Sequence, residues 1–104
     1  MGIDLGTTGC KAIVMDTKGG ILSSSYLEYG LLTISATHIE QDPLLWWKLT
    51  QQAITEAVEK GASAAGVARR SFAESLAAIS ISSQGLSFVP VSPAGDPLRN
   101  AINW

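Results

Sequence analysis

Residues 2–20 read GIDLGTTGCKAIVMDTKGG, and this stretch decides the fold prediction. The apolar runs at residues 1–5 and 11–16 predict two short strands. Asp16 and the glycines after it predict a tight turn into a third strand over residues 21–29. Three strands joined by two short connections indicate an antiparallel meander.

The first connection of this meander, Gly-Thr-Thr-Gly at residues 6–9, has the composition of a phosphate cradle. Gly6 and Gly9 would let backbone amides approach a ligand without a Cβ in the way, and successive amides in a turn bind anions. Thr7 and Thr8 would add hydroxyl donors. The connection joins two strands and does not begin a helix, so phosphate binding by a helix dipole does not apply.

Two charged residues flank this connection. Asp4 ends the incoming strand, where its carboxylate would hold a hydrated Mg²⁺ near phosphates, and Lys11 would add a positive charge. A plain hairpin turn is the alternative, and motif length alone gives the two interpretations equal weight. Two-residue turns are more often Asn-Gly or Asp-Gly, and an unpaired carboxylate in a strand that looks buried is costly, which favours the cradle.

The rest of the chain predicts one long helix followed by further strands. The stretch before the helix, residues 31–41, is irregular. Asp42 is a good N-cap and Pro43 suits the first helical position, while Lys60 and Gly61 fit a C-terminus. A flexible connection follows, running into a short helix through Ala78. Strands are predicted at residues 77–82, 86–91 and, after a turn at 92–97, 98–104, so the chain is of the α/β class with a mixed sheet.

Composition limits the class of protein. The chain has 104 residues, of which 46% are hydrophobic and 15% charged, so it has enough apolar material for one folded domain. A formal charge of −2 gives no basis for binding nucleic acid or an anionic membrane surface. Cys10 is the single cysteine, and we expect a reducing, cytoplasmic location and no membrane span.

Several conspicuous side chains are predicted to be structural. Trp46 and Trp47 are expected in the core beneath the helix. His38 has no cysteine or histidine partner at ligand spacing, so a metal site there is not expected. The remaining charged residues are assigned to local structure, Glu40 and Asp42 to the helix start and Asp96 and Arg99 to a surface turn.

The segment GIDLGTTGCKAIVMD resembles the first phosphate loop of the actin, hexokinase and heat-shock ATPase superfamily. This resemblance implies a ribonuclease-H-like domain that forms one wall of a nucleotide cleft. Residues 40–54, EQDPLLWWKLTQQAI, and residues 77–104, AAISISSQGLSFVPVSPAGDPLRNAINW, resemble the FGGY carbohydrate kinases more specifically. The three segments cover nearly the whole chain in the family's order.

The resemblance implies a kinase that transfers phosphate from MgATP to a sugar or polyol hydroxyl. It assigns Asp4 to the metal side of the phosphate loop and Trp104 to an aromatic surface beside the substrate. Gln84 and Gly85 fall on the sugar loop, although a polar loop residue bonded to backbone would explain Gln84 as well. The cofactor-binding residues that it implies are Gly6, Thr7, Thr8, Gly9 and Lys11.

The chain departs from the family at the sugar loop and in its length. Some polyol kinases carry Gln-Arg-Glu at this loop and xylulose kinases often carry Gln-Met-His-Gly, whereas here the run begins with Gln84 and Gly85 and continues Leu-Ser. That difference argues against glycerol and leaves the particular sugar open, while the resemblance as a whole implies a ketopentose-type substrate. The family's general base, an aspartate, lies beyond residue 104, so residues 1–104 are expected to be a partial domain that is inactive alone.

Other interpretations stay open. The first loop is shared with chaperone-type and filament-forming ATPases, although these do not account for EQDPLLWW or SSQG. A non-catalytic module is a third hypothesis. The expected partners are ATP, a small sugar or polyol and the remainder of a kinase chain, and a homodimer is also compatible with the resemblance.

Overall fold

The computed structural model describes residues 1–103, and Trp104 lies outside the described residues. Within residues 1–103 the chain forms seven strands and two helices. In chain order they are β1 (Gly2–Leu5), β2 (Gly9–Met15), β3 (Ile21–Glu28), β4 (Leu32–Ser35), β5 (His38–Gln41), α1 (Pro43–Ala65), α2 (Arg69–Glu74), β6 (Ser80–Ser83) and β7 (Ala101–Ile102).

The strands form two sheets. The larger sheet has the order β3-β2-β1-β6, in which β2 is antiparallel to both β1 and β3, and β1 is parallel to β6. The smaller sheet has the order β4-β5-β7. The predicted meander and the predicted α/β class with mixed strand directions are therefore confirmed. No helix within residues 1–103 has the length and apolar character needed to cross a bilayer.

The core lies between the larger sheet and α1. In β2, residues at alternate positions face α1 and are buried, because only one face of the sheet is covered within the described chain. The residues that meet there are small, which lets helix and strands approach closely; they include Cys10 and Ala12 of β2 and Ala53 and Ala57 of α1. Burial raises the pKa of the Cys10 thiol.

Local signals set both the hairpin turn and the helix start. Asp16 Oδ1 accepts hydrogen bonds from the backbone N–H of Lys18 and Gly20, each at 2.8 Å, and so closes the turn between β2 and β3. Asp42 caps α1 by accepting from Leu44 N at 2.8 Å, with Pro43 at the first helical position. Both features agree with the prediction.

The predicted end of the helix at Lys60–Gly61 is wrong, because α1 continues to Ala65 and ends at Gly66, whose φ is +66°. Gly61 serves a different purpose. A Cβ at this position would lie 2.3 Å from Phe72 Cζ, so the glycine lets Phe72 of the short helix α2 pack directly on α1. The close approach, rather than a helix stop, explains this glycine.

Other sequence predictions also need correction. Residues 31–41 were expected to be irregular but contain the hairpin β4–β5; all four β4 residues are exposed, so burial imposes no alternation on their sequence. The strand predicted at residues 86–91 is reduced to isolated bridges from Phe88 and Val91. Pro90 lies between them and has no N–H for a ladder. Trp47 was predicted in the core but is 63% exposed, because the neighbouring Trp46 takes the inward position.

Candidate functional site

The loop at residues 6–9 is a closed turn, and Tyr29 holds two of its backbone carbonyls. Gly6 N donates to Gly9 O at 2.9 Å, and Tyr29 N donates to Thr8 O at 3.0 Å. The Tyr29 hydroxyl also donates to Gly6 O. Burial raises the pKa of Tyr29 to about 12, so the hydroxyl stays protonated and remains a donor at neutral pH.

Two backbone N–H groups of the loop are available to a ligand. Among residues 1–103, no acceptor pairs with the backbone N–H of Thr7 or of Thr8. Thr8 is exposed and Thr7 is half-buried. Two unpaired amides beside two hydroxyls, in a turn without Cβ atoms at either end, are suited to an anion. The arrangement fits the phosphate groups of a nucleotide.

The glycines of the loop also have reasons within the fold. A Cβ on Gly9 would lie 2.6 Å from Leu27 O and 2.7 Å from the Tyr26 hydroxyl oxygen. A Cβ on Gly6 would meet Gly9 O at 3.2 Å. Close packing against β3 therefore requires glycine at position 9, whether or not a ligand binds.

Asp4 and Lys11 stand opposite each other in the β1–β2 register, on the sheet face that points away from α1. The expectation that Asp4 interrupts a buried strand is wrong, because strand alternation places it on the open face and it is exposed. Within residues 1–103 Asp4 forms no ion pair. Lys11 Nζ lies 5.6 Å from the centre of the Tyr26 ring.

On this face the chain can supply only part of the coordination shell of a magnesium ion. No group of three or more His, Cys, Asp or Glu side chains gathers at metal-binding distance in the described part of the chain. Mg²⁺ in phosphate-transfer sites uses one or two carboxylates and takes its other ligands from phosphate and water. The exposed Asp4 carboxylate, beside a loop with unpaired amides, fits that partial role.

The loop after β6, which was predicted to bind the sugar, lies at the same end of the sheet as the loop at residues 6–9. Because β1 and β6 are parallel, their carboxyl ends are adjacent, and Gln84 N donates to Leu5 O at 2.7 Å. Gly85 is exposed, and Leu86 has φ +57° and is 91% exposed. The structure therefore brings Gln84 and Gly85 next to residues 6–9. The prediction for Trp104 falls outside the described residues.

The Gln84 side chain is bonded to another side chain. Its Nε2 donates to Gln41 Oε1 at 3.0 Å, while its Oε1 is buried without a partner in residues 1–103. Gln41 was not among the predicted site residues. The sequence signal for it is its place in the segment at residues 40–54 that carries the family resemblance, just before the capped helix start at Asp42.

Glu40 was assigned to the helix start, and that prediction is wrong. The Glu40 carboxylate is buried and accepts from Arg99, from Asn100 Nδ2 at 3.0 Å and from His38 Nε2 at 2.8 Å. Arg99 consequently belongs to this cluster as well as to the surface turn. The hydrogen bond from Asn100, with those from Arg99 and His38, lowers the pKa of Glu40. The cluster ties the last described segment to β5.

The hydrogen-bonded cluster around Glu40 predicts that the fold loses stability in acid. The folded-state pKa of Glu40 lies below its ordinary value of 4.5, so its ionised form adds stability above that pH, and the contribution is lost as the pH falls below it. We expect urea unfolding at a series of pH values between about 6 and 3 to show a shallower pH dependence for Glu40→Gln than for the wild type. Glu28→Gln, at an exposed strand position, is the control. Equal slopes in the wild type and Glu40→Gln would contradict the assignment.

Comparison with known proteins gives consistent matches over the whole chain. Residues 1–104 match the FGGY family of carbohydrate kinases, N-terminal domain. A glycerol kinase of Halobacterium salinarum is 36% identical over 103 residues, which are 98% of this chain and 19% of that protein. A xylulose kinase of Staphylococcus epidermidis is 32% identical over 104 residues, which are 100% of this chain and 19% of that protein.

A solved structure supports the same conclusion. The gluconate kinase of Lactobacillus acidophilus superposes with a TM-score of 0.80 and 29% identity, covering 97% of this chain and 18% of that chain. The chain shares the actin-like ATPase fold of these kinases. It spans 19% of the length of the curated relatives described above. Residues 1–104 match the model of the family's N-terminal domain, and the chain therefore belongs to the FGGY family of carbohydrate kinases.

Proposed function

We propose that this chain is the N-terminal part of an ATP-dependent kinase that phosphorylates a hydroxyl of a sugar or polyol. The observation that carries the proposal is the placement of two loops at one end of the sheet. The loop at residues 6–9 has unpaired amides for phosphates, and the loop that begins at Gln84 has polar groups for a hydroxylated substrate. Gln84 N bonded to Leu5 O keeps the two loops in contact.

In this proposal the residues of the chain bind and orient the nucleotide. The Thr7 and Thr8 amides and hydroxyls hold phosphate oxygens, Asp4 binds on the metal side, and Lys11 contributes positive charge on the same face. Bound Mg²⁺ would neutralise charge on the phosphates. Phosphoryl transfer depends mainly on positioning and charge stabilisation, so a chain with these parts but no general base supplies one wall of the site.

The substrate is proposed to be a ketopentose-type sugar in a cytoplasmic enzyme. Gly85 and the exposed Leu86 stand where some polyol kinases have an arginine and a glutamate, so this loop has no charged pair for a small polyol. The general base and the adenine pocket are assigned to the part of the kinase beyond residue 104. The curated relatives include both glycerol and xylulose kinases, so both substrates belong in the test.

The test is a coupled assay of ADP release by the complete kinase polypeptide, with MgATP and a panel of xylulose, ribulose, gluconate and glycerol. We expect acceptor-dependent ADP release, highest with a ketopentose. Activity highest with glycerol would overturn the substrate assignment but keep the kinase assignment. If no sugar or polyol on a broad panel stimulates ADP release but a peptide does, the result would instead favour a chaperone-type ATPase.

A further inference from the structure

Gln41 is the most completely buried large side chain in the described part of the chain, and its hydrogen bonds join three separate segments. It is 1% exposed. Its Nε2 donates to Thr7 O at 2.7 Å, and its Oε1 accepts from Gln84 Nε2 at 3.0 Å and from Asn103 Nδ2 at 2.9 Å. A buried amide is costly unless it is hydrogen-bonded, and here both lone pairs of the carbonyl oxygen are used.

Two partners of Gln41 belong to the site proposed above, because Thr7 lies in the phosphate loop and Gln84 begins the sugar loop. The third partner, Asn103, directly follows β7. The backbone of Gln41 is itself fixed, because it pairs with Ala101 in the smaller sheet and precedes the helix cap Asp42. A side chain held on rigid elements can hold loops in place more accurately than another loop can.

The bond to Thr7 has a consequence for phosphate binding. A trans peptide directs its carbonyl and its N–H to opposite sides. With the Thr7 carbonyl held by Gln41, the Thr8 N–H of the same peptide must point away from Gln41. That N–H is one of the two loop amides without an acceptor in residues 1–103. The Gln41 amide thus sets the direction of a donor that it does not touch.

We propose that Gln41 is a positioning residue that orients the phosphate loop and the sugar loop relative to each other. The proposal rests on the proposed function in that it takes these two loops as the nucleotide and sugar sites. Two substitutions distinguish the donor of the Gln41 side-chain amide from its acceptor. Gln41→Glu keeps an oxygen for Gln84 and Asn103 but replaces the donor to Thr7 O by a second oxygen. Gln41→Leu removes all three bonds at similar volume.

Amide hydrogen exchange, followed by NMR, tests the proposal without any need for activity. The protected amides of Gly6 and Tyr29 report on the phosphate loop, and that of Gln84 reports on the sugar loop. We expect Gln41→Glu to speed exchange at Gly6 and Tyr29 by about tenfold, with Gln84 changed by less than about threefold. Gln41→Leu should speed exchange at all three. The control is Gln51→Glu, at an exposed position of α1.

Kinetics of the complete kinase supply the second readout. Gln41→Glu should raise KM for MgATP by about tenfold and KM for the sugar much less, whereas Gln41→Leu should raise both. Loop exchange equal to the Gln51→Glu control, or faster exchange spread evenly over β2, β3 and α1, would overturn the positioning role. If Gln41→Leu does not fold, Gln41→Glu decides. If the wild type has no kinase activity, the proposed function fails, while the exchange data still decide this inference.

Discussion

Replacement of Asp4 by asparagine is expected to lower kcat of the complete kinase by about 10²–10³-fold while leaving the fold unchanged. The carboxylate is exposed and has no ion-pair partner in residues 1–103, so its loss removes no interaction of the described fold. Asparagine has the same shape but no charge for the metal side of the site. Steady-state kinetics with saturating MgATP and thermal unfolding of the same preparations measure the two effects.

Asp16→Asn is the matched control for Asp4→Asn. Asp16 is another exposed aspartate of the same hairpin, at the opposite end of β2, and its bonds to Lys18 and Gly20 use an oxygen that asparagine retains. We expect near wild-type kcat and stability from this variant. A wild-type kcat in Asp4→Asn would show that Asp4 is not part of the site. A loss of kcat together with a lower melting temperature would indicate a structural role.

The second large effect is expected at Gly9. Gly9→Ala should destabilise the domain by about 2–4 kcal/mol, because the added Cβ meets Leu27 O at 2.6 Å and only a shift of the strand backbone can relieve that contact. Denaturant unfolding measures the change. Since Gly9 is the last residue of the loop at residues 6–9 and the first residue of β2, the same shift should also weaken phosphate binding.

Gly2→Ala separates a steric effect from a general effect of glycine substitution. Gly2 lies in β1, and a Cβ there meets nothing within 4 Å. We expect this variant to be neutral or more stable by up to about 1 kcal/mol, because alanine restricts the unfolded chain more than glycine does. Equal losses from both variants would mean that the contact with Leu27 O does not determine the effect.

The elements that the sequence predicted correctly are those with local causes. The turn at Asp16 and the helix start at Asp42 depend on bonds that span only two to four residues. The helix end was misplaced because Gly61 has the local properties of a stop, whereas its actual reason is Phe72 of the next helix. No local pattern contains that information.

The candidate site shows the same difference between features with local causes and features that depend on distant residues. The family resemblance named the residues of the phosphate and sugar loops, but the parallel pairing of β1 with β6, which places both loops at one end of the sheet, became visible only in the structure. The roles of Glu40 and Gln41 could not be predicted in this way. Their partners Asn100 and Asn103 are 60 and 62 residues away, so only the folded chain brings them together. Two of the most buried polar side chains therefore looked like ordinary residues before a helix.

The buried thiol described in the core also has a practical consequence. Cys10 is the only cysteine in the sequence and is 0% exposed between β2 and α1. A thiol-specific reagent can reach it only when the helix separates from the sheet. Its labelling rate therefore measures how often that layer opens, with no introduced probe and no ambiguity about the reacting site. Within residues 1–104, Cys10 thus reports how often the core between β2 and α1 opens.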